Sequence, residues 1–139
     1  MKYWIGVVNK EHVLIGVKSG IMQVNHGKKA PLSRLNKDDW LIYYSPVNAF
    51  GDKQPLQEFT AIGQISDNDI YAHETRDGRM VYRRKVNYLK TTDAPIRPLI
   101  EDLSFIKNKK SWGYVFRFGL VEIGEEDYNV IKSKMLTQS

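Results

Sequence analysis

The sequence predicts an α+β fold that is mainly β: a small, partly open β-barrel of six or seven short strands with short peripheral helices. Three observations predict it. Short runs of β-branched and aromatic residues recur along the chain, separated by Gly, Pro, Asn and Asp. Asp77-Gly78 is a strong hairpin signal between two such runs. Helical spacing is confined to brief segments, of which the one at 125–135 is well signed, with three acids at its start and two lysines near its end. The 139 residues read as a single domain, 1–139, with no internal repeat, linker or low-complexity stretch.

In chain order, residues 2–8 form a first strand, close to a continuous apolar run. Asn9 then offers a helix N-cap, Val13, Leu14 and Val17 follow at helical spacing, and Gly20 stops the turn. Ile21–Val24 makes a short strand before the polar loop 25–31, and Leu32–Leu35 one helical turn. Trp40–Ser45 is a strand whose unbroken apolarity implies burial on both faces. A Pro- and Gly-bearing loop at 46–55 leads to the strand 57–66, where Gly63 marks a bulge or a close backbone approach. Strands follow near 70–73 and 80–89, then a Pro-bearing connection and a short helix near 99–105. The last helix turns Tyr128, Ile131 and Met135 to the core, with Glu125, Glu126 and Asp127 at its positive end and Lys132 and Lys134 at its negative end.

Residues 107–119 combine a basic cluster, Lys107, Lys109 and Lys110, with the aromatic segment Trp112–Phe118. As a strand, this segment would place Trp112, Tyr114, Phe116 and Phe118 on one face and Arg117 on the other. Cations for phosphates beside flat rings for bases is the chemistry of nucleotide binding; the same rings also suit the core face of a barrel strand.

The charge distribution points the same way. The net charge is +5, yet residues 76–117 hold eleven Lys and Arg against four acids, +7, which leaves −2 for the rest. Such asymmetry is the footprint of a polyanion partner. Zero cysteines exclude disulfides, thiolate nucleophiles and thiolate metal sites. The apolar run near the start is too short for a signal peptide and none approaches a membrane span, so a cytoplasmic protein without membrane contact is expected.

Catalytic signatures are missing. His12, His26 and His73 are widely spaced, so no metal is expected. Gly27-Lys28 fails as a phosphate loop, because Met22 stands where its first glycine belongs and Lys29 where Ser or Thr belongs. There is no Gly-x-Ser-x-Gly elbow. The acidic pairs Asp38/Asp39, Glu101/Asp102 and Glu125/Glu126 sit in turns or at helix starts, where solvation and capping explain them. No cofactor is implied and nothing argues for an enzyme.

Four blocks together resemble the EVE domain family, in its short stand-alone branch. They are Tyr3-Trp4-Ile5 with Asn9, Pro31-Leu32-Ser33-Arg34-Leu35 through Asp38-Asp39-Trp40 to Ser45, Pro98-Leu99-Ile100 through Phe105-Ile106-Lys107-Asn108-Lys109 to Trp112, and Glu125-Glu126-Asp127-Tyr128 with Ile131. The resemblance spans essentially the whole chain. It implies a PUA-like barrel related to YTH and ASCH domains, and a non-catalytic module that recognises a modified base, methylated above all, in DNA or RNA. Carried over by position, it implies a base pocket of Trp4, Asn9, Tyr44, Ser45 and Trp112. Asn9 would hydrogen-bond a base edge or serve only as a cap. Lys28, Lys29, Lys107, Lys109, Lys110 and Arg117 are the candidate phosphate contacts. The chain departs from the longer EVE branch at 25–31, where that branch carries a Gly-Val-Arg-Asn-Tyr type segment, so the base-facing side chains there do not carry over. Two alternatives remain open: a small hydrolase of a modified nucleoside, as in ASCH relatives, which needs a converging lysine and carboxylate, and a small-molecule sensor or adaptor.

Overall fold

Strand β1, Tyr3–Val7, is the axis of the architecture, and the computed structural model describes residues 1–136 around it. β1 runs parallel to β3 (Trp40–Ser45), Tyr3 opposite Trp40 and Val7 opposite Tyr44. A parallel pair needs a long crossover, supplied by helix α1 (Lys10–Ser19), the short strand β2 (Ile21–Met22), a 3-10 turn at Asn25–Gly27 and the short helix α2 (Lys29–Leu32). β4 (Glu58–Ile65) returns antiparallel to β3, and a bulge at Tyr43/Tyr44 shifts the register. The hairpin β5 (Tyr71–Glu74) and β6 (Met80–Tyr88) follows, then β7 (Ala94–Pro95), β8 (Leu120–Ile123) and helix α3 (Glu125–Met135). The sheet order is β2-β6-β4-β3-β1-β8, with β5 beside β6 and β7 beside β4.

Alternation along these strands builds two cores, one on each face. Trp4, Leu41, Tyr43, Ala61, Ile65, Val86 and Leu120 fill the concave side with residues from α1 and α2. Ile5, Ile42, Tyr44, Phe59 and Ile62 meet Leu99, Leu103, Tyr128 and Ile131 on the other. Each fully buried aliphatic or aromatic side chain contributes about 1.5–3 kcal/mol. At Gly63 a Cβ would lie 2.4 Å from Val86 Cγ1 and 3.2 Å from the Asn87 carbonyl oxygen, so β6, backbone and side chains, packs closely over this glycine.

Asn9 caps α1, its Oδ1 accepting from the His12 amide at 2.9 Å. Asp39, expected to be a solvated turn residue, and Asp127, expected only to favour the positive end of the last helix, both anchor loops. The Asp39 carboxylate is buried and accepts from the Lys2 and Asn36 amides and from Trp4 Nε1 at 2.9–3.0 Å. Asp127 accepts from the Ser104 amide and hydroxyl and the Phe105 amide, fastening α3 to the distant segment at 104–105.

The largest correction concerns residues 112–118. They form a 3-10 helix, Trp112–Phe118, not a strand, so the four rings do not line one face: Phe116 is buried while Tyr114 and Phe118 are exposed and meet edge-on. The reason is the lack of a neighbour. β1 ends at Val7, whose amide donates to Gly119 O at 2.9 Å, and the chain then turns into α1. A strand extended back beyond Gly119 would meet no edge, and the segment satisfies its backbone within itself. The turn at 97–102 is also 3-10, and β7 was not expected from its Pro-bearing sequence.

A candidate binding cleft at the ends of β1 and β3

Where the parallel strands β1 and β3 end, two depressions open side by side. The larger, about 650 Å³, is lined by residues following both strands (Val7–Asn9, Pro46 and Val47), by 23–26 with Lys28, and by Phe116–Gly119. The smaller, about 270 Å³, is lined by Tyr44, Gln57, Lys110, Ser111, Trp112 and Gly113. Pro46 and Phe116 line both and form the wall between them. Phe116 is fixed there by stacking on Tyr44, centroids 4.2 Å apart and planes at 18°. The larger volume lies in the range of small-ligand sites.

The rim of the larger cleft is built from unusual backbone. Asn25, His26 and Gly27 all have positive φ (49°, 59° and 84°), held by Gly27 N donating to Val24 O and Lys28 N to Asn25 O. Three left-handed residues in succession store conformational cost that the surroundings must enforce. The opposite rim is the loop after β3. Its Val47 and Asn48 carbonyls accept from the first amides of α1, Lys10 and Glu11, so the helix start has no donors left for an anion. At its tip Phe50 is 87% exposed, and across the cleft Phe118 is 62% exposed.

Several polar groups point into this space without protein partners. Among the described residues the Asn25 amide and Asn9 Nδ2 make no hydrogen bond, Asn9 Oδ1 being taken by the cap. Burial, with repulsion from Arg83, lowers the His12 pKa and holds its imidazole neutral near pH 7. In the smaller cleft, burial raises the Tyr44 pKa, with Arg97 acting the other way, so its hydroxyl stays a neutral donor. No Asp or Glu lines either depression.

The residues expected at a base pocket are thus divided. Asn9 joins the larger cleft, and Tyr44 and Trp112 the smaller. Arg97 covers the Trp112 ring at 5.5 Å. Trp4 lines neither: alternation turns it into the barrel, 2% exposed, with Nε1 on Asp39. Ser45 is fully buried and shares a 2.8 Å hydroxyl hydrogen bond with Thr60. Among the cations, Lys28 and Arg117 line the larger cleft and Lys110 the smaller. Lys29 lies over the Tyr82 ring at 5.7 Å and Lys107 is exposed outside both.

Lys109 is corrected outright. Its Nζ donates to Ile100 O at 2.9 Å and Leu103 O at 2.8 Å, closing the 3-10 turn, so its charge is spent on carbonyls. Lys109→Gln should lower stability by about 1–3 kcal/mol in a thermal melt while leaving the salt dependence of any polyanion binding unchanged. Gln23, Asn25, His26, Phe50 and Phe118 were not expected as cleft residues. The one available signal was the Asn-His-Gly run, the residue types that best tolerate positive φ.

An α+β barrel, mainly β, with its mixed sheet opening into a basic-rimmed cleft at one end, is a PUA-like architecture. The chain belongs to the EVE domain family, which it matches over residues 2–134. A UPF0310 protein from the gntR 5′ region of Bacillus licheniformis is 52% identical over 92% of this chain and 87% of its own length. Another, from Mycolicibacterium vanbaalenii, is 44% identical over 99% of this chain and 94% of its own. The crystal structure of human THYN1 in complex with 5-methylcytosine-containing DNA superposes with a TM-score of 0.52 over 100% of both chains at 11% identity, which shows the shared fold. No described helix is long and apolar enough to cross a membrane.

Proposed function

We propose that the protein is a nucleic-acid-binding module whose larger cleft receives one modified, methylated base from a strand of DNA or RNA. One observation carries the reading: ring faces, unpartnered amides and cations converge on a cleft that no carboxylate lines. A methyl group adds apolar surface and no hydrogen-bonding information, so it is read by burial against rings, while amides hold the base edge. Phe116 and Phe118 offer the rings, Asn25 and Asn9 the amides, and Lys28 and Arg117 the charge for flanking phosphates. The human protein of like fold, caught with 5-methylcytosine DNA, supports the reading. The smaller cleft, with Trp112, Tyr44 and Lys110, takes a neighbouring base by stacking. The hydrolase alternative requires a lysine and a carboxylate converging, and the lining supplies only the lysines.

The test is calorimetric titration of short single strands, each carrying one methylated base, beside unmodified controls. Tighter binding of one modified strand is expected; equal affinity for all strands would sink base reading. Asn25→Ala should then remove the preference, while Trp112→Ala should weaken modified and unmodified strands alike, by about 1–3 kcal/mol for one lost stacking platform. The opposite pattern would exchange the roles of the two clefts.

A further inference from the structure

Behind the Asn25–Gly27 rim stands the β5–β6 hairpin, and its face toward the cleft carries two arginines without acidic partners. Arg79, just before β6, and Val81 and Arg83 within it alternate onto the side that meets the segment 23–27. Val81 is fully buried against Gly27, where a Cβ would come within 2.5 Å of Val81 Cγ1. Arg79 Nη1 donates to His26 O at 3.2 Å and Arg83 Nε to Gln23 Oε1 at 3.2 Å. Each guanidinium therefore spends one nitrogen on a residue that lines the larger cleft and keeps its other nitrogens unpartnered among the described residues. Among the described residues no carboxylate lies within 4 Å of either, the ion pairs there being Lys2–Glu122 and Lys10–Asp93. Asp77 in the hairpin turn feels the Arg79 charge but is itself held by the Thr75 hydroxyl. His12, which lines the larger cleft, has its pKa lowered first by burial and then by repulsion from Arg83, so the Arg83 charge acts toward the cleft.

We propose that the β5–β6 hairpin is a backbone-holding arm: Arg79 and Arg83 bind two phosphates of the strand whose base occupies the larger cleft. This rests on the nucleic-acid reading above and extends it from a base pocket to a strand-binding surface. Guanidinium groups tethered by one donor, with a fork of donors left over, are preorganised for bidentate contact with phosphate oxygens. Arg79 just precedes β6 and Arg83 lies within it, four positions and about 13 Å apart at the usual rise, and their guanidiniums are tethered to different rim residues, His26 and Gln23, which holds the two forks apart. They therefore hold two, and the protein requires a strand of several nucleotides, not a free nucleoside.

The experiment measures affinity against salt for the intact chain and for R79Q/R83Q, using ten-nucleotide single strands of DNA and of RNA with and without one 5-methylcytosine, and free 5-methylcytidine as a phosphate-free probe. The slope of log affinity on log salt should fall by about 1.4 in the double variant, 0.7 for each phosphate lost from a single strand. The ratio of modified to unmodified affinity should stay unchanged. The single variant R79Q, at an exposed residue, should lose about 0.7 and serves if the double variant folds poorly. R79K/R83K should keep most of the slope. An unchanged slope with an intact preference for the modified strand overturns the arm and leaves base reading standing. A reduced slope without any such preference supports the arm and overturns base reading. Free nucleoside binding as tightly as the ten-nucleotide strand, or no strand binding at all, overturns the arm as well.

Discussion

Gly119→Ala is expected to destabilise the fold by roughly 2–4 kcal/mol and to weaken strand binding at least tenfold. Two independent obstacles combine there. Gly119 sits at φ 79°, ψ −34°, a region closed to residues with a Cβ, and a Cβ at this position would lie 1.6 Å from Asn25 Oδ1. The backbone cannot relax easily, because Gly119 O accepts the Val7 amide and Gly119 N donates to Phe116 O. The Asn25 side chain must therefore leave, and with it one of the unpartnered amides of the cleft. Gly113→Ala is the control in the same segment: its Cβ would meet nothing within 4 Å, so stability should hold. The double variant Gly119→Ala/Asn25→Gly separates clash from chemistry. Removing the Asn25 side chain should recover the part of the stability lost to the clash, while selectivity for a modified base should stay lost. Recovery of both would show that Asn25 is a spacer rather than a contact; calorimetry and thermal melts read the two effects separately.

How far the sequence reached depended on what each signal encodes. The Asn9 cap, the Asp77-Gly78 turn, Gly63 and the two-sided burial of Trp40–Ser45 were legible because each is a local constraint satisfied by a few neighbouring residues. The segment Trp112–Phe118 was misread because its alternation fits a strand, whereas strand formation also needs an edge to pair with, and that edge ends at Val7. Lys109 looked like its neighbours Lys107 and Lys110, and only the path of the turn at 97–103 brings carbonyls to it. Trp4 was assigned to the pocket by resemblance alone, and strand alternation, applied to Val7 at the cleft, puts it three residues away inside the barrel. The cleft itself was hardest to foresee, because its lining comes from the ends of two strands, a left-handed turn and a 3-10 helix that are far apart in the chain.

Arg84 shows the same limit in the charge pattern, and it yields the largest expected loss of stability. Sequence counts it among the basic residues that attract a polyanion, next to Arg83 in an alternating strand where either could face inward. The structure buries it, 1% exposed. Its Nη1 donates to Leu32 O at 2.9 Å and Leu35 O at 2.6 Å, and its Nη2 to Asp67 O at 2.6 Å, so one side chain ties α2 and the following turn to the loop after β4. Burial lowers its pKa, while Asp67, Asp39 and Asp69 act in the opposite direction without forming an ion pair. Arg84→Met keeps much of the volume but strands three carbonyls, a loss on the order of 3–5 kcal/mol. For a chain of this length the melting temperature should fall by roughly 10–20 °C. Arg84→Lys should recover only a part, because one ammonium cannot reproduce the fork. Below the melting transition, Arg84→Met should retain the intact chain's salt slope for strand binding, in contrast to Arg79→Gln. A reduced slope at full folding would place Arg84 on the binding surface and contradict its burial; an unshifted melting temperature would mean that the three carbonyls find other donors.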